Sequence, residues 1–340
     1  MLKRNSALCF VSLLGVLLGH QLIQADCILA APKYLIKFAT VAPDGSTWMK
    51  HMRKLDKDLR QKSDGQLGFR FYAGGIAGDE LDVLKKIRIG QIHCAAFSGV
   101  GFGQILPMVR VLDLPFLFRN DEEADRVHQE LQQFFADQFR QKGFELLAWA
   151  EVGKVHLFSK KPIRKVKDLS GLKVWTWSGD PIARETLSSM GVNPIPLAIT
   201  DVTTALNTGM IDTVYAPPLG ALALQWHVAM KYMMGLPLVH ATGAGLISSK
   251  YYKTLPQNLA TLLSSEFENA MRDLTLELRD QNIEAIKLIE DSGLRIIPAP
   301  SGNELEEFYS IHDQVAQNLI GKIYSRELLK RVYRTLGRPN

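Results

Sequence analysis

The residues able to do chemistry are thinly spread along the 340-residue chain. Eight histidines are dispersed, none in an HExxH pair, and there is no CxxC cluster, so a zinc site lacks its ligands. The run Gly99 to Gly103, GVGFG, lacks the spacing of a dinucleotide fingerprint, and neither a phosphate-cradling GxxxxGKS/T loop nor a GxSxG elbow occurs. Glu151, Asp168 and Asp212 are single carboxylates among 35 acidic residues, which makes none of them an acid/base pair. His93 and His156 fall on predicted strands, where hydrogen-bonded structural histidines are the common case. The chain therefore offers no catalytic set and calls for no metal or cofactor, and binding becomes the reading to test.

The elements that must position any binding residues follow an α/β pattern, in which short apolar runs alternate with amphipathic ones. Strands are expected at Tyr34 to Thr40, Gly68 to Tyr72 and Ile92 to Phe97, with helices near Ser46 to Lys62 and Glu80 to Ile89 between them. The first helix reads as burying Trp48, Met52, Leu55 and Leu59. A second group comprises strands near Phe144 to Ala150, Val155 to Ser159, Leu172 to Trp177 and Ile211 to Tyr215. Asp180 before Pro181 is an N-cap and first-turn pair, and Gly191 is a C-terminal stop.

Chain length exceeds the roughly 250 to 300 residues at which one core stops growing, so two lobes are expected. Pro256 to Ser292 reads as one helix, or as two broken near Asp280 to Asn282. Unbroken, it would extend roughly 55 Å, beyond the roughly 40 Å of one lobe, and would cross both. With 46% apolar and 22% charged residues the chain is globular. The net charge of +5 is dispersed and forms no basic stripe with interleaved aromatics, so no nucleic-acid partner is expected.

Lys3 and Arg4 precede an apolar run from Ala7 to Leu18, the pattern of a secretory signal, so export to the periplasm is expected. Cys27 stands either as the acylated cysteine of a lipoprotein or as a tail residue beside cleavage near Ala25, Ala30 or Ala31. Beyond the signal only Cys27 and Cys94 remain, too few for a disulfide framework.

The segment GLKVWTWSGDPIARETLSSMGVNPIPLAITDVTTALNTGMIDTVYAPP, Gly171 to Pro218, resembles the core of the TRAP-transporter solute receptors. Their typical GLKIR, GANPVP and EVYTALQTGVVDGQENP match in spacing through Gly191, Pro194, Pro196, Ala205, Leu206, Gly209 and Asp212. KFATVAPDGSTW at Lys37 to Trp48, FYAGGIAGDELDVLKKIRIGQIH after it, and LDLPFLF at Leu112 to Phe118 extend the likeness from about Lys33 to about Gly321. The resemblance implies a non-enzymatic, two-lobe periplasmic binding-protein fold with hinge strands and a long helix spanning both lobes. Its divisions fall at 1–31 for the signal, 32–152 with 241–280 for lobe I, 153–240 with 281–330 for lobe II, and 331–340 for a C-terminal tail.

The departures bear on the ligand. The family's carboxylate-clamping arginine falls at Trp175, and its ENP becomes Tyr215, Ala216 and Pro217. Arginine offers a planar fork of donors, whereas tryptophan has one donor and a large apolar face. An indole buries 150 to 250 Å², about 4 to 6 kcal/mol as an upper bound, for an apolar ligand alone. The expected ligand is therefore small and apolar or amphipathic rather than an organic acid. It would be held by Trp175, Trp177, Tyr215, Ala216 and Pro217, with Ser46 and Ser98 as polar contacts from the first lobe and Lys154 near the family's second arginine. In a strand Trp175 and Trp177 point the same way, so one of them can equally be core. Expected partners are the TRAP membrane permease subunits, or, in the alternative reading of a ligand sensor or scaffold, a helical-repeat lipoprotein. An enzyme on the same scaffold is the remaining alternative.

Overall fold

A computed structural model describes residues 32–338. The leader, with Lys3, Arg4 and Cys27, lies outside the described residues. The first part of the chain alternates as expected: β1 (Tyr34–Ala39), α1 (Thr47–Lys62), β2 (Leu67–Tyr72), α2 (Glu80–Arg88), β3 (Cys94–Ser98) and α3 (Gly99–Ile105). β1 pairs in parallel with both β2 and β3, as crossover helices require. α1 buries Met49, Met52, Leu55 and Leu59. Trp48, expected in that stripe, is instead partly exposed, and Met49 takes its place.

After α4 (Asp121–Gln141) comes β4 (Phe144–Ser159), a single 16-residue strand where the sequence suggests two. What reads as a break, between Ala150 and Val155, holds a register shift at Glu151/Gly153, and a second shift lies at Leu146/Ala148. Gly153 sits at φ +121°, where a Cβ would meet the Asn282 amide at 2.8 Å, so only glycine lets the strand turn without leaving the ladder. The chain continues through β5 (Trp175–Trp177), α5 (Pro181–Ser189), β6 (Ile195–Leu197), α6 (Val202–Asn207), β7 (Thr213–Ala216), α7 (Pro218–Ala223) and β8 (Tyr232–Met234). It then forms β9 (Val239–Ser248), α8 (Ser249–Tyr252), α9 (Gln257–Asp291), β10 (Arg295–Ile297), α10 (Gly302–Asn318) and α11 (Arg326–Thr335).

The sheet order is β2-β1-β3-β9-β4-β8-β10, with β7 also on β4 and β5-β6 forming a separate parallel pair. β4 belongs to both lobes. Its residues from Phe144 to Val155 pair with β9, and His156 to Ser159 pair with β7. This is the two-lobe fold with hinge strands. Asp180 caps α5 by accepting from the Ile182 and Ala183 amides, with Pro181 in its first turn, and Gly191 follows the helix at φ +75°.

α9 runs unbroken for 35 residues, about 52 Å, through Asp280 to Asn282. Leu263, Phe267, Met271 and Leu274 pack in the core with β1 and α1, whereas Ile289 packs in the core with Phe158, Trp175 and Val214, so the helix serves both lobes. Asn282 explains how a polar residue sits mid-helix. Its amide donates to the Leu278 carbonyl at 2.8 Å, and its oxygen accepts from Leu219 N at 3.0 Å, tying α7 to the helix. Residues 331–335, expected in a tail, complete α11, which buries Leu328, Leu329 and Val332. No helix among the described residues is long and apolar enough to cross a membrane.

Candidate functional site

A cavity of about 680 Å³ opens where the two lobes meet, within the size range of small-molecule sites. Trp175, Trp177, Tyr215, Ala216, Pro217, Ser46 and Ser98 all line it. Lys154 does not. Its ammonium lies 2.8 Å from Asp121, beside the hinge strands, and is spent there as an ion pair.

Trp175 lines the cavity but is only 1% exposed. Tyr215 stacks on it, with ring centroids 4.7 Å apart, and Trp226 meets it edge-on at 5.4 Å. Its Nε1 donates to the Leu197 carbonyl at 3.1 Å. Trp177, 8% exposed, donates Nε1 to the Asp79 carboxylate at 2.9 Å, and its backbone amide donates to the Tyr215 hydroxyl at 3.0 Å. Both indole donors are therefore already used, and the two rings share one face of β5 as strand alternation requires. The face of Trp175 is covered by its own neighbours, so most of the 4 to 6 kcal/mol anticipated for ligand burial is spent on the fold. Trp175 is cavity wall and core at once.

The surface left for a ligand is supplied by residues the sequence reasoning passed over: Trp48, Val152, Leu219, Leu222, Leu224 and Val239, all partly exposed and all lining the cavity. The polar contacts named from sequence are also engaged. The Ser46 hydroxyl caps α1 by accepting from Met49 N at 3.4 Å. The Ser98 hydroxyl accepts from Val100 N at 3.3 Å and donates to Glu80 at 2.9 Å. Glu80 accepts further from Ser98 N and Gly101 N, yet burial pushes its carboxyl up to about 7.

Among the described residues Arg110 is the one cation lining the cavity, and the sequence reading does not include it. It sits on the 3-10 turn Pro107–Asp113, donates to Asp180 Oδ1 at 2.7 Å and lies 3.3 Å from Asp113. Burial opposes its charge, but Asp180 and Asp113 hold its pKa above the ordinary arginine value. Burial also raises Asp113, to about 6, with Arg110 working the other way. The signal was readable: an arginine and an aspartate inside the apolar run VRVLDLPFLF must be paired if the run is buried. Arg110–Asp180, Trp177–Asp79 and a 3.1 Å bond from the Gln104 amide to Gly179 O join the two lobes.

A second charged cluster lies at the hinge. His240 on β9 is 3.1 Å from Glu151 on β4 and 3.5 Å from Asp121, while Arg279 of α9 donates to Glu151 at 2.7 Å and to Asp125. Burial works to lower the His240 pKa, but Asp121 and Glu151 overcome it and hold the imidazole above its usual value. Asp121, Glu151 and His240 lie close enough to share one ion, and Lys154 and Arg279 supply positive charge facing those carboxylates. The cluster joins both hinge strands to α9.

The sequence profile of the DctP family, described as bacterial extracellular solute-binding protein, family 7, matches residues 38–322. A solute-binding protein of Chromohalobacter salexigens is 30% identical over 165 residues, 48% of this chain, and the match spans about half, 49%, of that relative. A TRAP periplasmic solute-binding protein from Pseudomonas putida, solved with bound D-glucuronate, superposes with a TM-score of 0.81 at 24% identity, covering 88% of this chain and 96% of the other. The sugar-acid-binding protein of Advenella mimigardefordensis, in complex with galactonate, gives a TM-score of 0.85 at 21% identity over 90% and 99% of the two chains. At these identities the solved structures establish the fold.

Proposed function

Since the chain belongs to the bacterial extracellular solute-binding proteins of family 7, which are periplasmic receptors and not enzymes, we propose that it captures a small apolar or amphipathic molecule in the interlobe cavity and delivers it to TRAP membrane subunits. One observation carries the preference for such a cargo: an apolar wall, in which Trp48, Val152, Leu219, Leu222 and Val239 remain partly exposed. The resemblance in sequence, which puts the family's arginine at Trp175, supports the same reading. The neighbours solved with glucuronate and galactonate bind sugar acids, and this chain lacks the fork of donors at that position. Burying an aliphatic cargo against such a wall contributes about 25 cal/mol per Å², and this is the term the cavity is built to supply.

Cargo contacts from both lobes stabilise the closed arrangement selectively, which is a population shift about the β4 and β9 hinge. Membrane subunits that recognise the closed arrangement would then take up the cargo. The test is a thermal-shift and calorimetric panel that sets long-chain alcohols and aromatic hydrocarbons against dicarboxylates and sialic-acid-like sugars. Stabilisation confined to the apolar set supports the reading. Tight binding of a dicarboxylate or sugar acid that survives replacement of Trp48 and Leu222 by alanine overturns it.

A further inference from the structure

We propose that Asp113 and Asp180 are specificity residues: they consume the charge of Arg110, so the cavity turns organic acids away and takes a cargo whose polar end is an uncharged hydrogen-bonding group. This rests on the apolar-cargo reading above and names the chemistry of the cargo's other end.

Arg110, Asp113 and Asp180 are 4%, 5% and 9% exposed, and all three line the cavity. One guanidinium faces two carboxylates, so the group as a whole is negative. An entering carboxylate would have to displace Asp180 from Arg110 while facing Asp113, and like charges set against each other in a site with little water are strongly unfavourable. The other ionisable wall groups add no positive charge, because Glu80, Asp44 and Tyr215 are all acids.

The cavity wall also holds a polar atom with no hydrogen-bond partner among the described residues: Thr186 Oγ1, on a residue 4% exposed and set in α5 beyond its Asp180 cap. Arg110 Nε and Asp113 Oδ2 face each other at 3.3 Å as an ion pair. Buried polar atoms in native proteins are almost always hydrogen-bonded, so an unpaired hydroxyl on a cavity wall points to a ligand group. The Thr186 hydroxyl can both donate and accept. A hydroxyl or amide both donates and accepts, whereas a carboxylate only accepts. Arg110 and Asp180 come from opposite lobes, so closure completes the acid-rejecting arrangement around the head group.

Decan-1-ol and decanoate, compared by calorimetry at pH 8, provide the test, with wild type, Asp113→Asn, Asp180→Asn and the double variant. Asparagine caps a helix as well as aspartate and keeps an oxygen for Thr242 N, so both changes remove charge while keeping the local bonds. Wild type is expected to bind the alcohol at least about tenfold more tightly than the acid, about 1.4 kcal/mol. Each substitution should raise decanoate affinity about tenfold and move decan-1-ol by less than about threefold, and the double variant should gain further. Wild type binding decanoate as tightly as decan-1-ol overturns the assignment and leaves the apolar-cargo reading standing. Variants that still bind the alcohol but gain nothing for the acid overturn it too. Wild type binding neither probe overturns the cargo reading and this assignment with it, and the wild-type ratio alone decides if a variant does not fold.

Discussion

Replacing Trp175 with alanine separates its two roles. The indole is 1% exposed, stacked at 4.7 Å on Tyr215, edge-on at 5.4 Å to Trp226, and bonded through Nε1 to the Leu197 carbonyl. A buried tryptophan cut to alanine costs about 3 to 5 kcal/mol in lost transfer energy and cavity formation. The two aromatic pairs add about 0.5 to 1.5 kcal/mol each, and the hydrogen bond about 1 kcal/mol. Against this, the vacated space joins an existing cavity of about 680 Å³ that solvent or cargo can fill, which places the total near the lower end, about 3 to 4 kcal/mol. That is a large part of a typical stability of about 5 to 15 kcal/mol. Guanidinium unfolding followed by far-ultraviolet circular dichroism, which does not depend on the indoles, gives the value. Trp48→Ala, at a partly exposed residue on the same cavity, should cost under about 1.5 kcal/mol in the same assay but weaken decan-1-ol binding more than Trp175→Ala does. A loss below about 1 kcal/mol for Trp175→Ala would refute the claim that this ring is core, and greater weakening of binding by Trp175→Ala would refute the division of roles.

Three further outcomes follow from the same geometry. Glu80 is held at about 7 in the fold against an ordinary value of 4.5, so its protonated form is the stabilised one: the contribution is complete below about pH 4.5 and is lost as pH rises through 7, on the order of 3 kcal/mol. Urea unfolding at pH 5 and pH 8 should therefore show wild type losing stability relative to Glu80→Gln, and a constant difference would contradict this. Arg279→Met leaves the buried Glu151 carboxylate with His240 alone and should cost about 3 kcal/mol by denaturant midpoint. Gly245→Ala drives a methyl group into the Phe267 ring between β9 and α9 and should cost about 1 to 3 kcal/mol, part of it recovered by adding Phe267→Leu.

Much of the scaffold was legible because its signals are local. The Asp180–Pro181 cap and the Gly191 stop each fix a boundary from neighbouring residues alone, and the apolar spacing from Pro256 to Ser292 marks helix, although whether it breaks near Asp280 to Asn282 depends on the packing of Asn282 against α7. β4 reads as two strands because a glycine and a change of alternation look the same in sequence whether they end a strand or bulge it. The cavity-lining role of Trp175, Trp177 and Tyr215 was visible through the family resemblance, but the covering of Trp175 by Trp226 joins residues 51 positions apart and has no local signature. The pairing of Lys154 is hidden for the same reason, since its partner Asp121 lies in another element. Trp48 fitted the helical stripe one position from the residue that is buried, a difference of about 100° around the helix axis that hydrophobicity alone does not resolve. Arg110 and Asp113 were the missed opportunity, because two charges in an apolar run announce a buried pair.

What the cavity carries when the protein is taken from cells decides the nature of its cargo. Native mass spectrometry of the gently purified, processed protein, followed by solvent extraction and identification of whatever is released, reads this directly. A neutral amphiphile, retained by the native protein and extracted into organic solvent, is the predicted result. A dicarboxylate or sugar acid held at full occupancy would contradict it.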